Sequence, residues 1–135
     1  MDTSLTVAPM RSGLHYYLEQ QFNSFHNFPI ETDLDNLNAD VAILGIPFGD
    51  PYSMGEASND QAFAPTHVRR HCGRALRGLD RYDFDIGGTL LDGRDIKVVD
   101  CGDVIGVAKD VAGNHARSEA AVKKILAAGA LPIIL

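Results

Sequence analysis

The sequence contains no tryptophan and only two cysteines, Cys72 and Cys101, among its 135 residues. Two cysteines cannot form a disulfide framework, so a disulfide-rich secreted scaffold is excluded and a reducing cytoplasm is the expected location. Basic residues are scarce as well, with 12 lysines and arginines against 18 acidic residues. We therefore expect no nucleic-acid partner. The longest apolar runs, at residues 41–48 and 128–135, have about eight residues, well short of the ~20 that a membrane helix needs, so no membrane partner is expected.

The residues that are present have the composition of a globular protein. Hydrophobic residues make up 45% of the chain and charged residues 22%, with a formal net charge of -6. This balance argues against long-range disorder, and the length suits one ordinary domain. We divide the chain into an N-terminal arm at residues 1–39 and an α/β part at residues 40–135. In the arm, apolar side chains recur at helical spacing from Leu14 to Phe25 and predict an amphipathic helix.

A continuous apolar run at residues 41–47 predicts a strand that is buried on both faces, and residues 96–101 predict a second buried strand. Such runs are typical of parallel sheets covered by helices, because neither face of the strand meets water. Residues 131–135 predict the start of a third strand of the same kind. Each pair of strands is separated by a segment with helical signals.

The first helical segment has Pro65 at a favourable position in its first turn and is predicted to run to about Arg77. The second is predicted to begin at Asn114, a suitable N-cap, and to stop at Gly129. The order strand, helix, strand, helix, strand predicts the fold class: an α/β protein with a three-layer, doubly wound parallel sheet and right-handed crossovers.

Ligands of open α/β sheets lie beyond the carboxyl ends of the strands, and two loops of this chain occupy that position. One is the polar loop at residues 48–59. The other contains Asp100 and Asp103. These two carboxylates have two interpretations: they orient the ligands of a metal ion, or they bind backbone amides and shape a turn.

Three further groups of residues have both a chemical and a structural interpretation. His67 and His71 share a helix face at metal-binding spacing, but flanking arginines disfavour a dication, and a solvated face is the stronger interpretation. Asp83 and Asp85 offer too few oxygens for a dedicated cation site, so a turn is favoured. The third group is a basic cluster, for which a phosphate site is conceivable and ion pairing within the chain or with a neighbouring subunit is favoured. It consists of Arg69, Arg70, Arg74, Arg77 and Arg81.

Taken together, several segments resemble the N-terminal portion of the ureohydrolase superfamily, the arginase-like binuclear manganese enzymes. They are DVAILGIPF at residues 40–48, APTHVR at 64–69 and VVDCGDV at 98–104. The segment DRYDFDIGG at residues 80–88 and the Ser58-Asn59 loop are most similar to the agmatinase branch. The chain departs from the family pattern in its first loop, where Gly49 follows Phe48 and the acidic residue is Asp50.

The resemblance implies an arginase-like sheet, a small guanidino substrate and hydrolysis assisted by two Mn²⁺ ions. It implies Asp50, Ser58 and Asn59 as substrate-loop candidates, and Asp100 and Asp103 as supporting residues behind the metal centre. It places the metal ligands and the catalytic residues in segments that do not occur in this sequence. We therefore expect an incomplete N-terminal part of such an enzyme, inactive alone, and a homo-oligomer in the full-length form.

Three functional hypotheses follow. The first is part of an agmatinase, which converts agmatine and water to putrescine and urea in polyamine biosynthesis, with arginase and guanidinobutyrase as alternative branches. The second is a non-catalytic α/β interaction module. The third, less favoured, is a flavodoxin-like or nucleotide-binding domain, although the GxGxxG fingerprint is absent.

Overall fold

The computed structural model describes residues 14–15, 24–48, 60–75, 79, 81–107 and 109–135. Strands and helices alternate along the chain after a short first strand. The elements are β1 (Leu14–His15), β2 (Val41–Gly45), α1 (Ala64–Ala75), β3 (Val98–Val104), α2 (Val111–Ala127) and β4 (Leu131–Ile134). The strands form one sheet in the order β1-β3-β2-β4. Strand β2 runs parallel to β3 and β4, while β1 is antiparallel to β3.

The α/β class and the parallel sheet predicted from the apolar runs are confirmed. Every residue of β3 is buried, and so are the last four of β2. These strands lie between helices, so side chains on both faces leave water, which explains the continuous apolar run of β2. Alternate residues of a strand point to opposite faces, so Ala42 and Leu44 face one layer and Ile43 the other.

The two helices cover opposite faces of the sheet. Ala121 and Ile125 of α2 belong to the main hydrophobic core, together with Leu44, Val99 and Cys101 of the strands. On the other face α1 contributes a buried arginine, described below, which bonds Asp100 of β3. The layers are therefore helix, sheet and helix, as the doubly wound prediction requires.

The helix predicted from Leu14 differs from the structure at its first residues. Leu14 and His15 form β1, which pairs with Val104 and Asp103 at the outer edge of β3. The free main-chain groups of that edge provide partners that outweigh helical spacing in the sequence. Most of the predicted helix lies outside the described residues, and its final part is a single 3-10 turn at Phe25–Asn27.

The second helix also begins earlier than predicted. Asp110, not Asn114, is the N-cap of α2, and its carboxylate accepts a hydrogen bond from the backbone of Gly113 at 3.0 Å. Asn114 instead bonds the main chain of Val107 through both ends of its amide. Within α2, Ile125 is buried, whereas its neighbour Leu126 is 56% exposed.

Among the described residues, no helix has the length and apolar character needed to cross a lipid bilayer. The longest, α2, includes charged residues on its outer side, with an ion pair of 2.5 Å between Lys123 and Glu119.

Candidate functional site

A β-bulge in β3 brings Asp100 and Asp103 to the same face of the sheet. In a regular strand, residues three apart point to opposite faces. Here Ile43 of β2 is opposite Asp100 and Gly45 is opposite Asp103, so β3 contains one extra residue. Gly102 lies within this interval with φ of 73°, a left-handed conformation that glycine adopts without strain. Both carboxylates therefore face α1.

Arg69 of α1 reaches between the two carboxylates and binds both. Its Nε donates to Asp100 Oδ2 at 2.8 Å and one Nη donates to Asp100 Oδ1 at 2.9 Å, which makes a two-pronged contact. The other Nη donates to Asp103 Oδ1, and the carbonyl of Gly102 accepts from Arg69 at 3.0 Å. This planar fork geometry is specific to arginine, because lysine cannot bond two oxygens in parallel. We call Arg69, Asp100 and Asp103 the buried ion cluster.

The buried ion cluster is almost completely removed from water. Arg69 is 3% exposed, Asp100 0% and Asp103 3%. Charges buried this deeply are tolerated only when they are paired and hydrogen-bonded. Burial lowers the pKa of Arg69, but the hydrogen bond to Asp100 and the negative charges of Asp103 and Asp100 outweigh it, so the pKa is raised above its ordinary value.

Asp100 also holds the N-terminal arm. Its Oδ2 accepts the backbone N–H of Phe25 at 2.7 Å, and its Oδ1 accepts the backbone N–H of Gly102 at 2.9 Å. Its own backbone bonds Pro29 at 2.8 Å and Glu31 at 3.0 Å. Asp100 therefore joins three parts of the chain: the helix α1, the strand β3 and the arm.

Gly45 is the residue of β2 that makes room for this cluster. A Cβ atom at Gly45 would lie 1.8 Å from Asp103 Oδ1 and 2.8 Å from the Cβ of Pro65. Both distances are shorter than any contact that packed atoms maintain. The glycine at the end of the first apolar run therefore has a definite role, which is to admit Asp103 and the first turn of α1.

Cys101 lies between the two aspartates in sequence but faces the opposite layer, in the hydrophobic core. Burial raises the pKa of its thiol to about 12, and the charges of Asp100 and Glu31 act in the same direction against that of Arg69. The thiol stays protonated at neutral pH, so Cys101 is a core residue and not a nucleophile.

The loops at the carboxyl ends of β2 and β3 lie next to each other. The rings of Phe48 and His115 meet edge to face at 5.5 Å, and a Cβ at Gly106 would lie 3.4 Å from the carbonyl of Pro47. Arg117 braces the second loop by bonding the carbonyl of Ile105 at 3.0 Å. This is the edge at which open α/β sheets bind their ligands.

The aspartates named from the sequence do lie together, but a guanidinium binds them. Arg69 was assigned only to a basic cluster; pairing within the chain is confirmed for it, while its partners Asp100 and Asp103 were not foreseen. The spacing of Pro65 and Arg69 offered a signal, since residues four apart share a helix face and Pro65 is buried. Asp50, Ser58 and Asn59 lie outside the described residues.

The other candidate groups are part of the surface. His67 and His71 are exposed, and their rings stack with centroids 6.2 Å apart and an angle of 9°. Asp83 accepts the backbone N–H of Asp85 at 2.8 Å, and its main chain bonds that of Gly88. These contacts agree with the turn predicted at Asp83 and Asp85.

The described part of the chain does not fit a manganese ion. No three of its His, Cys, Asp and Glu side chains are grouped so that they could hold a metal. The two carboxylates nearest to such a role accept hydrogen bonds from Arg69, whose positive charge opposes a dication at the same place. In the described structure, Asp100 and Asp103 bind Arg69 and main-chain N–H groups.

A protein-family model matches most of this chain, including the residues of the site described above. Residues 39–135 match the model of the arginase family. The match covers more than half of the chain, and the chain belongs to the arginase family. The matched residues include the whole buried ion cluster and the elements β2, α1, β3, α2 and β4. No curated protein matches the sequence.

Proposed function

We propose that this chain belongs to an enzyme that hydrolyses a guanidino compound to urea and an amine, with agmatine as substrate and putrescine as product. The observation that carries the proposal is the arginase-family match over residues 39–135. Members of that family are generally manganese-dependent hydrolases. The agmatinase branch is supported by the resemblance of residues 80–88 and of the Ser58-Asn59 loop.

The contribution of this chain is the scaffold of the site. The buried ion cluster fixes α1 and the arm on the sheet, and the braced loops at residues 46–48 and 105–107 form the edge where a ligand of such a sheet binds. Asp50, Ser58 and Asn59 are proposed to contact substrate at that edge. Two free cysteines, Cys72 and Cys101, support a reducing cytoplasm as the location.

The test is a chimera in which residues 39–135 replace the matching segment of an agmatinase. We expect the chimera to release urea from agmatine in the presence of Mn²⁺, and faster than from arginine or guanidinobutyrate. Preference for another of these substrates would assign the chain to a different branch. The isolated chain, assayed in parallel, is expected to release no urea, because its described residues hold no group of metal ligands.

A second candidate function is a non-catalytic interaction module that keeps the family scaffold. It is favoured by the occupation of both aspartates by Arg69 and by an exposed apolar turn at residues 82–86. A folded chimera without activity on any of the three substrates would support this second function and contradict the first.

A further inference from the structure

The most exposed large apolar side chain of the described residues, Phe84, lies in a turn with two other exposed apolar side chains. Phe84 is 90% exposed, Ile86 61% and Tyr82 53%. Two carboxylates, Asp83 and Asp85, flank Phe84 in the sequence, and both are exposed. We call residues 82–86 the acidic knob. Isolated exposed apolar residues are common on protein surfaces, but a cluster rimmed by charge marks an interaction site.

Hydrogen bonds hold the backbone of the acidic knob in place. The N–H of Asp83 donates to the carbonyl of Gly88 at 2.7 Å, and the carbonyl of Asp83 accepts from Gly87 at 2.9 Å. The rings of Tyr82 and Phe84 meet edge to face at 5.1 Å. The aromatic side chains are thus presented by an ordered turn, so little conformational entropy would be lost when a partner covers them.

A second surface has the opposite charge. Phe63 precedes α1 and is 59% exposed, and His67, Arg70 and His71 are exposed on the helix. Positions 63, 67, 70 and 71 fall on one side of a helix, because residues three and four apart are neighbours there. The sequence of α1 contains no acidic residue. We call these four residues the basic face.

The acidic knob and the basic face complement each other in chemistry. The acidic knob offers apolar rings between two carboxylates. The basic face offers the exposed ring of Phe63, two stacked imidazoles and the exposed side chain of Arg70. Arginine and aromatic side chains are enriched at the centres of protein interfaces.

We propose that the acidic knob of one copy of this chain docks on the basic face of a second copy. The contact is head to tail, because it joins two different surfaces, and each copy has both. A fully covered aromatic side chain buries roughly 150–250 Å², so the knob supplies less than the ~800 Å² per partner of a standard interface. The association is therefore weak, concentration-dependent and sensitive to salt.

Sedimentation velocity of the complete chain tests the contact. We expect the wild-type chain to associate as its concentration rises and to dissociate as salt is added. Phe84→Ser is expected to weaken association about tenfold or more, as truncation of a central aromatic does at an interface. Leu126→Ser, which removes an exposed apolar side chain from α2, is the matched control and should leave association unchanged. Circular dichroism checks that both variants are folded.

A charge exchange then tests the pairing of the two surfaces. Asp85→Arg alters the acidic knob and Arg70→Glu alters the basic face, so each variant alone should associate more weakly than wild type. When the two variants are mixed, the reversed knob meets the reversed face, and association should recover.

Three results would overturn the proposal. They are a wild-type chain that stays monomeric at every concentration, an unchanged association of Phe84→Ser, and a mixture that associates no better than either variant alone. None of these measurements depends on catalytic activity, so they are independent of the test of the proposed function.

Discussion

At the scale of single residues, the carboxylate of Asp100 binds groups from the arm, from α1 and from its own strand. Its carboxylate accepts N–H groups from Arg69, Gly102 and Phe25. A carboxylate with so many donors has no free lone pair for a metal ion. In the described structure its role is therefore to hold protein groups together.

Replacing Asp100 with asparagine tests this role. The amide NH₂ of Asp100→Asn would face N–H donors in place of one carboxylate oxygen, and Arg69 would lose a charge partner. Breaking a buried ion pair costs about 3–5 kcal/mol, so we expect a loss of that size in the free energy of unfolding, measured by urea denaturation. The control Asp92→Asn alters an exposed ion pair, with Arg94 at 3.7 Å, and should change stability by less than ~0.5 kcal/mol. Equal stability of the two variants would contradict the assignment.

At the scale of secondary-structure elements, the start of α2 depends on a small polar network. Asp110 caps the helix and also bonds Arg117 at 3.1 Å, while Arg117 bonds Asn114. A Cβ at Gly113 would lie 2.0 Å from a carboxylate oxygen of Asp110, so the close approach of the cap requires glycine. The network fixes where the loop after β3 ends and the helix begins.

Two substitutions at Asp110 separate the cap from the charge. Asp110→Ala removes both, and the loss of a cap costs about 1 kcal/mol. Asp110→Asn keeps an acceptor for the backbone of Gly113 but loses the negative charge next to Arg117. We expect the unfolding free energy to fall in the order wild type, Asp110→Asn, Asp110→Ala in thermal or urea denaturation. If the two variants lost the same amount of stability, the charge and not the cap would dominate.

The comparison of sequence and structure shows which elements follow from local patterns. Strand β2 was predictable because burial on both faces leaves an unbroken apolar run, and β3 was predictable from the apolar residues at its start, although Asp100 and Asp103 interrupt the pattern. The cluster of Arg69 with Asp100 and Asp103 was not predictable, because spacing alone places the two aspartates on opposite faces until the bulge is known. The start of the helix predicted at Leu14 was wrong for a related reason: the edge of β3 is distant in sequence, and no local pattern reports it.

At the scale of the whole molecule, the two edges of the sheet differ. The arm covers the outer edge of β3 twice, through β1 and through the main-chain bonds of Pro29 and Glu31 with Asp100. At the other side, β4 pairs with β2, and no further strand adjoins it among the described residues. Leu131 and Ile133 of β4 are exposed. The best-buried part of the molecule is therefore the centre of the sheet, at β2 and β3.

The pH dependence of overall stability should reflect Cys101 at this centre. Its pKa is about 12 in the folded chain, above the ordinary value of 9.0. The unfolded chain loses this proton first, so the contribution to stability is complete below about pH 9 and is lost as the pH rises toward 12. We expect the unfolding free energy of the wild-type chain to fall more steeply over this range than that of Cys101→Ala. Parallel slopes in urea titrations at pH 8 to 11 would show that the thiol does not contribute.

The bulge at Gly102 determines which face of the sheet each later residue of β3 points to. In a regular strand of the same sequence, without the bulge, Asp103 would project into the hydrophobic layer beside α2, and Val104, which is now in the core, would project toward Arg69. Deleting one of the two residues between the aspartates would make the strand regular and would keep Asp100 and Asp103, then two positions apart, on the face of Arg69. The placement of the two carboxylates is therefore a property of the backbone path as much as of the residues themselves.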